Sequence, residues 1–228
     1  MIMAKISPLR TLGRRIARRL TQDTSGLAMI EFAFTAPILL GMGMMGTETA
    51  NFVITHMKVS QIAMQVADNT SRIGETDVLT ARKVYERDVN EALVGAEKLG
   101  EDINIFQQGR IIVSSLQQND DGGQTIRWQR CRGAKAHDSS FGVEGVGASG
   151  TSFPGMGVAG RQITSASGTA VMFVEVSYNY DSLTPFDIFD GREISYTAAF
   201  NVRDSRDLTQ LYPDGPQARC SVYSANRP

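Results

Sequence analysis

Glu31 is the residue in this chain whose position asks most for a chemical explanation. It is the single charge in an apolar run from Leu27 to Gly46 (LAMIEFAFTAPILLGMGMMG). An ionisable group in a stretch of that kind costs on the order of a few kcal/mol in a bilayer and usually marks a function. Counting Leu27 as the first residue after Gly26, Glu31 is the fifth. A helix starting near Leu27 would place this carboxylate close to its positive end, which eases the cost. If the chain were cut after Gly26, Leu27 would carry a new ammonium. That ammonium and Glu31 would be natural partners, within one chain or between neighbours, because an unpaired carboxylate is costly at low dielectric.

The other reactive groups say less. Cys131 and Cys220 are the two cysteines. They are not in C-x-x-C spacing, so zinc and thiol redox chemistry are not expected. In an oxidising compartment they would form a disulfide closing a loop of about 90 residues, worth up to roughly 4–5 kcal/mol on the chain-entropy model. Two free thiols, or a bond to another chain, are the alternatives. His56 and His137 form no His-x-x-x-His pair, and neither a G-x-S-x-G elbow nor a phosphate loop is present. The glycines of Gly142–Gly147 have no strand leading into a helix around them. Asp120 and Asp121 sit in an Asp-Asp-Gly-Gly turn without the remaining calcium ligands. The reading is therefore non-enzymatic, with no catalytic residue, metal or cofactor.

The elements that must position Glu31 follow from charge and periodicity. The 228 residues carry a net charge of −1, which averages two unlike parts. Residues 1–26 hold Lys5, Arg10, Arg14, Arg15, Arg18 and Arg19 against Asp23, a net of +5, which leaves −6 for the other 202. A basic tail is not a distributed basic face, so nucleic acid is not an expected partner. Twenty helical residues, 27–46, span roughly 30 Å, the thickness of a bilayer core. Positive charge ahead of the span puts the N-terminus in the cytoplasm and the remainder across the membrane. A buried core helix would not carry an Arg-rich flank at one end. A cleaved secretory signal would have a shorter core and a better site than Ala50, and the Arg14–Arg15 pair has no other sign of twin-arginine export.

The run Gly26-Leu27-Ala28-Met29-Ile30-Glu31-Phe32-Ala33, with Pro37-Ile38-Leu39-Leu40 after it, resembles the N-terminus of TadE-like proteins. These are pseudopilins, or minor pilins, of the tight-adherence (Flp-type) pilus system. The family pattern is a short basic leader, a Gly at the cut, a Glu at the fifth mature position and a Pro-containing apolar helix. The resemblance implies cleavage between Gly26 and Leu27 by a prepilin peptidase, and assembly through Leu27 and Glu31. It also implies partners among other pilin or pseudopilin subunits and the pilus assembly platform. Pro37 removes one backbone hydrogen bond and would kink the span. A Trp-x-x-Cys-like element (Trp128, Cys131) and the strand Val174–Tyr180 extend the likeness, more loosely, into the remainder of the chain.

Beyond the span, Phe52, Val59, Ile62, Val66 and Ile73 recur at seven, three, four and seven. The helix is thus expected to continue as an amphipathic stalk over 47–73, about 46 residues and roughly 69 Å in all. Gly74 reads as its stop and Thr76 or Asp77 as the next cap. Residues 78–99 read as a second helix with a solvated charged face, ended by Gly100. From 103 onward the pattern is β: a hairpin of 110–116 and 124–130 around a turn at 119–123, then strands over 170–180 and 193–202. Val171 and Phe173 lie on one parity of the third strand, and Met172, Val174 and Val176 on the other. That strand is expected to be central, with both faces covered. Residues 133–168 hold nine glycines in 36 positions and read as a long loop. The tail, 204–228, would be tied back by the disulfide.

The expectation is an α+β protein: a cleaved cytoplasmic leader (1–26), a transmembrane helix (27–46), a stalk (47–73) and a periplasmic head (74–228) with a mainly antiparallel sheet. It would sit in a bacterial inner membrane as a single-pass precursor and then enter an extracellular pilus. An uncleaved, membrane-anchored periplasmic assembly or binding factor is the alternative.

Overall fold

The computed structural model describes residues 9–22, 25–74, 81–185 and 188–228. Helix α1 spans Leu9–Gln22 and α2 Ser25–Arg72. After them come α3 (Glu86–Leu99), a 3-10 turn (Glu101–Ile103), α4 (Ile105–Gln108) and strands β1 (Gly109–Gln118), β2 (Gln124–Arg132), β3 (Ala170–Asn179) and β4 (Glu193–Asn201). The chain divides into two compact units, one up to Thr49 and one from Ala50, and α2 contributes to both.

In the first unit, α1 gives the basic leader a structure that its charge alone did not announce. Leu9, Leu12, Ile16 and Leu20 recur at three, four and four, a helical spacing among good helix formers. From Leu27 to Gly46, α2 is apolar apart from Glu31, and no residue of that stretch is buried, whereas Glu48 beyond it is. None of the residues in its most apolar 18-residue window is buried. The helix runs through Pro37 without a break in its assignment. The hydroxyls of Thr35, Thr47 and Thr49 donate to the carbonyls of Glu31, Gly43 and Met45 one turn back. These donors therefore need no water.

In the second unit the four strands form one antiparallel sheet in the order β2-β1-β3-β4. β3 is paired on both edges. Its even residues Met172, Val174 and Val176 pack with Ile111 and Val113 of β1 beneath α2 and α3, against Val59, Ile62, Val66, Val89 and Leu93. The periodic residues of the stalk thus face the sheet, with Phe52 and Ile73 half-buried at the ends of the stripe. Register between β1 and β2 shifts after Ser115↔Trp128, where Arg127 bulges out and donates to the Thr209 carbonyl.

The opposite face of β3 is covered by the glycine-rich segment. Val171 and Phe173 join Leu116 and Ile126 in a second core with Met156, and Phe141, Val146 and Phe153 pack against it. Residues 133–168 are therefore a packed layer without regular structure, where a loop alone was expected. Polar side chains hold it. Gln124 exchanges two hydrogen bonds with Ser165, and Asn119 Nδ2 donates to the carbonyls of Gly147 and Gly150. Gly133 opens the segment at φ +134°, with the Gly109 carbonyl 2.2 Å from where a Cβ would be, so no side chain fits.

Two boundaries and the surroundings of α3 differ from expectation. α3 begins at Glu86, because residues 82–85 are extended against the tail through Arg82↔Arg206 and Tyr85↔Tyr212. The Asp88 carboxylate accepts from the Tyr85 N–H and starts the helix. The caps expected at Thr76 or Asp77 lie outside the described residues. Residues 101–108 form helical turns where β was expected, since Asn104, at φ 51°, reverses the chain between them. The charged face of α3 is not simply solvated: Glu86 is buried on Arg130, and Glu97 receives Arg132 and Arg227. The tail is held along much of its length by bridges at Arg206, Tyr212 and Ser224. Gly74, at φ +121°, follows the end of α2 as expected.

Glu175 fastens the irregular layer to the sheet. Its carboxylate is 4% exposed and accepts from Ser139 Oγ at 2.6 Å and the Ser140 N–H at 2.9 Å. Burial pushes it above its ordinary value of 4.5, against the opposing pull of those hydrogen bonds. The folded protein therefore holds the Glu175 proton more tightly than the unfolded chain. This contribution to stability is complete below 4.5 and is lost as pH rises toward the folded value. Glu175→Gln should remove that loss. Denaturant midpoints from about pH 4 to about pH 8 should fall less steeply in the variant than in the parent.

Candidate functional site

Gly26, Leu27 and Glu31 all lie in the first turns of α2, which starts at Ser25. The leading N–H groups of a helix have no intrahelical acceptor, and glycine favours the helix least after proline. The Gly26–Leu27 peptide is accordingly in the part of α2 that opens most easily. A Cβ at Gly26 would meet nothing within 4 Å. Leu27 and Glu31 are four apart and so share a face, one turn from each other. Leu27 is 58% exposed, and Glu31 is exposed as well. Around them Met29, Phe32, Phe34, Leu39 and Leu40 are each about two-thirds exposed or more. A helix that is apolar on all sides and uncovered suits lipid or neighbouring apolar helices rather than water. α2 is long and apolar enough to be a single-pass membrane anchor.

Cys131 and Cys220 are joined in a disulfide, with Cα atoms 4.7 Å apart and 89 residues of chain between them. The bond lines a cavity of about 470 Å³, together with Arg110, Arg130, His137, Asp138, Glu144 and Tyr223. Most of the charge here is already engaged. Arg130 grips Glu86 through Nε and Nη2 (2.8 and 2.5 Å) and reaches Glu144 through Nη1 at 2.9 Å. Burial works against the Arg130 charge, but these carboxylates hold its pKa above the ordinary arginine value. Arg110, 1% exposed, donates to the carbonyls of Gly133, Val222 and Cys220 and lies 4.2 Å from the Tyr223 ring centroid. The Tyr223 hydroxyl donates to Asp138 at 2.5 Å. Burial lowers Arg110 from its ordinary value. This arrangement binds the C-terminal segment to β1 and β2.

Sequence reasoning singled out Gly26, Leu27, Glu31, Pro37, Cys131 and Cys220, and the structure joins the last two. It missed Arg110, Arg130 and Glu86. The alternation Arg130-Cys131-Arg132 in an otherwise half-apolar strand was the available signal, since arginines on both sides of a buried cysteine need acceptors. Among the described residues, no group of three or more His, Cys, Asp or Glu is placed to hold a metal.

No protein-family model matches the chain, and no curated protein or solved structure matches it.

Two stability experiments test this reading of the cavity. Arg130→Met strands Glu86 without its partner and should cost about 3–5 kcal/mol in denaturant unfolding, while adding Glu86→Met should recover most of the loss. Reduction of Cys131–Cys220 in the full chain in detergent should cost up to about 4–5 kcal/mol and expose the segment after Tyr212 to protease.

Proposed function

We propose that this chain is a pseudopilin, a minor structural subunit of a tight-adherence (Flp-type) pilus, made as a single-pass inner-membrane precursor. A prepilin peptidase cuts it between Gly26 and Leu27, and the mature protein starts with Leu27. The observation that carries this reading is the grouping of Gly26, Leu27 and Glu31 within the first turns of an uncovered, all-apolar helix.

The chemistry is assembly. An apolar helix exchanges lipid for neighbouring helices with little change in burial, so packing alone sets no register. The Leu27 ammonium and Glu31 carboxylate supply the register, because each is costly in the membrane without a partner of opposite charge. The head lies beyond the span, in the oxidising periplasm where a disulfide such as Cys131–Cys220 persists. Other pilin or pseudopilin subunits and the assembly platform are its partners.

Intact mass and N-terminal sequencing of the membrane-extracted protein test the proposal. The expected start is Leu27, and Gly26→Val should leave the leader attached. Glu31→Ala should be cut normally and fail to enter pili. A start in the initiator region would make the protein an uncleaved anchored factor, and normal pili with Glu31→Ala would remove that residue from the mechanism.

A further inference from the structure

The sheet has two outer edges, and the chain treats them differently. The edge of β2 is covered. Its outward amides at Ile126 and Cys131, and that of Gly133 just beyond, donate to the carbonyls of Val146, Ala218 and Ser224. The Gln129 amide donates to the Glu144 carboxylate. The bulge at Arg127 interrupts the same edge.

The edge of β4 is bare. The Val202 N–H donates to the Ala170 carbonyl and the Tyr180 N–H to that of Arg192, and the register between these ends is unbroken. The even residues of β4 therefore turn their main-chain groups toward β3. Glu193, Ser195, Thr197, Ala199 and Asn201 turn theirs outward, one N–H and one C=O about every 7 Å. Among the described residues these outward groups have no partner. β4 also lacks the features that blunt an exposed edge. It has no lysine, no proline and no bulge, and its one charge is Glu193 at the start.

The side chains beside this edge differ between the two faces of the sheet. Tyr196 and Phe200 are half-buried on the helix side. His56 of α2, with Nδ1 3.2 Å from the Tyr196 hydroxyl, sets that helix beside β4. Continuing round α2 from His56, away from the buried stripe, come Val53, Met64 and Met57, at 51%, 47% and 58% exposure. Lys58, the one charged residue between Val53 and Met64, is on the opposite flank and paired with Asp102. On the other face, Ser195, Thr197 and Asn201 are exposed, small and polar.

We propose that the outer edge of β4 receives a strand from a different polypeptide, which extends the sheet by one. The main-chain groups select an extended segment, and the side chains select its pattern. It is uncharged, with apolar residues on the parity that meets Tyr196, Phe200 and the open flank of α2, and small polar residues on the other. A second copy of this chain is the wrong occupant for a filament subunit. β4 on β4 is an isologous contact that closes at two copies, and a copy's other edge, β2, is already covered. That choice of occupant rests on the proposed function, whereas the open edge does not.

The test is amide hydrogen exchange on the full chain in detergent. The probe is a synthetic peptide of alternating valine and threonine, about nine residues long to match β4. In the chain alone, the amides of Ser195, Thr197 and Ala199 should exchange at least about 100-fold faster than those of Tyr196 and Ala198. The probe at millimolar concentration should slow the three outward amides at least about tenfold. Thr197→Pro and Ser195→Pro each remove one outward N–H at an edge position that tolerates proline. Both should keep Ala198 protected, which reports an intact sheet, and lose the effect of the probe. Outward amides that the probe leaves unchanged overturn the proposal. Outward amides already slow in the chain alone overturn it as well. Protection that falls on dilution, together with a dimer mass, assigns the edge to a second copy and overturns the choice of occupant. These readings involve only residues from Ala50 onward, and N-terminal sequencing is independent of them. A chain that starts upstream of Leu27 and still takes the probe overturns the proposed function, and the choice of occupant with it, and leaves β4 as a strand acceptor.

Discussion

Strand β3 must be kept dry on both faces, and most of the second unit is arranged around that requirement. It is paired on both edges, so its backbone is satisfied by β1 and β4. Its side chains are large and apolar on both parities. One face is covered in the ordinary way, by the amphipathic stripes of α2 and α3. Among the described residues, no helix or second sheet covers the other. The chain covers it with an irregular layer, in which Phe141, Val146, Phe153 and Met156 supply the apolar contact. Such a layer has no ladder for its own amides, so side chains and turns take that role. Gln124, Asn119 and Glu175 are among the polar side chains that do this, each on a strand or strand end and each reaching out to the segment.

The tail poses the same problem and has another solution. Residues after Asn201 form no regular element, yet parts of them are buried. Their carbonyls are taken by arginine, whose planar group carries five donors and stays charged under burial. Arg110 serves Cys220 and Val222, and Arg132 serves Ala225. In the reverse direction, Arg206 of the tail donates to Thr70 and Ser71 at the end of α2, where helical carbonyls have no internal partner. Burial pushes Arg206 down to about 10, still well above neutrality. The tail therefore closes α2 while the head closes the tail, and the disulfide adds a covalent tie.

This division explains what was legible in the sequence. The span, the stalk stripe and the four strands each repeat a local pattern of period 3.6 or 2, so each could be read from its own residues. The start of α3 could not, because residues 82–85 are claimed by partners about 120 residues away. The role of 133–168 left a trace in β3 instead: Val171 and Phe173 needed a cover, and this long segment had no element of its own. The buried ion pairs had no local signature. Glu86 has the same neighbours as any charged helix residue, and only the fold brings Arg130 to it. At the N-terminal site the reading needed nothing distant, since Gly26, Leu27 and Glu31 lie within two turns. The helical state of α1 was masked by its charge, though its leucines have helical spacing.

α2 changes character along its length, and its side chains mark the change. Up to Gly46 it is apolar on every side, with threonine hydroxyls turned back onto its own carbonyls. From Val59 to Ala67 the residues Val59, Ile62, Ala63, Val66 and Ala67 form one stripe that lies under protein. A helix cannot change its rise to suit its surroundings, so the transition must be made by side chains alone. Between the two regimes, Val53, Ile54 and Met57 remain open while Phe52 and Val59 are already engaged with the head. Over that stretch one side of the helix is packed and the other is open. Glu31 lies on the other side of this boundary, in the part of α2 whose apolar residues lack cover from the chain. Its side chain is exposed as theirs are.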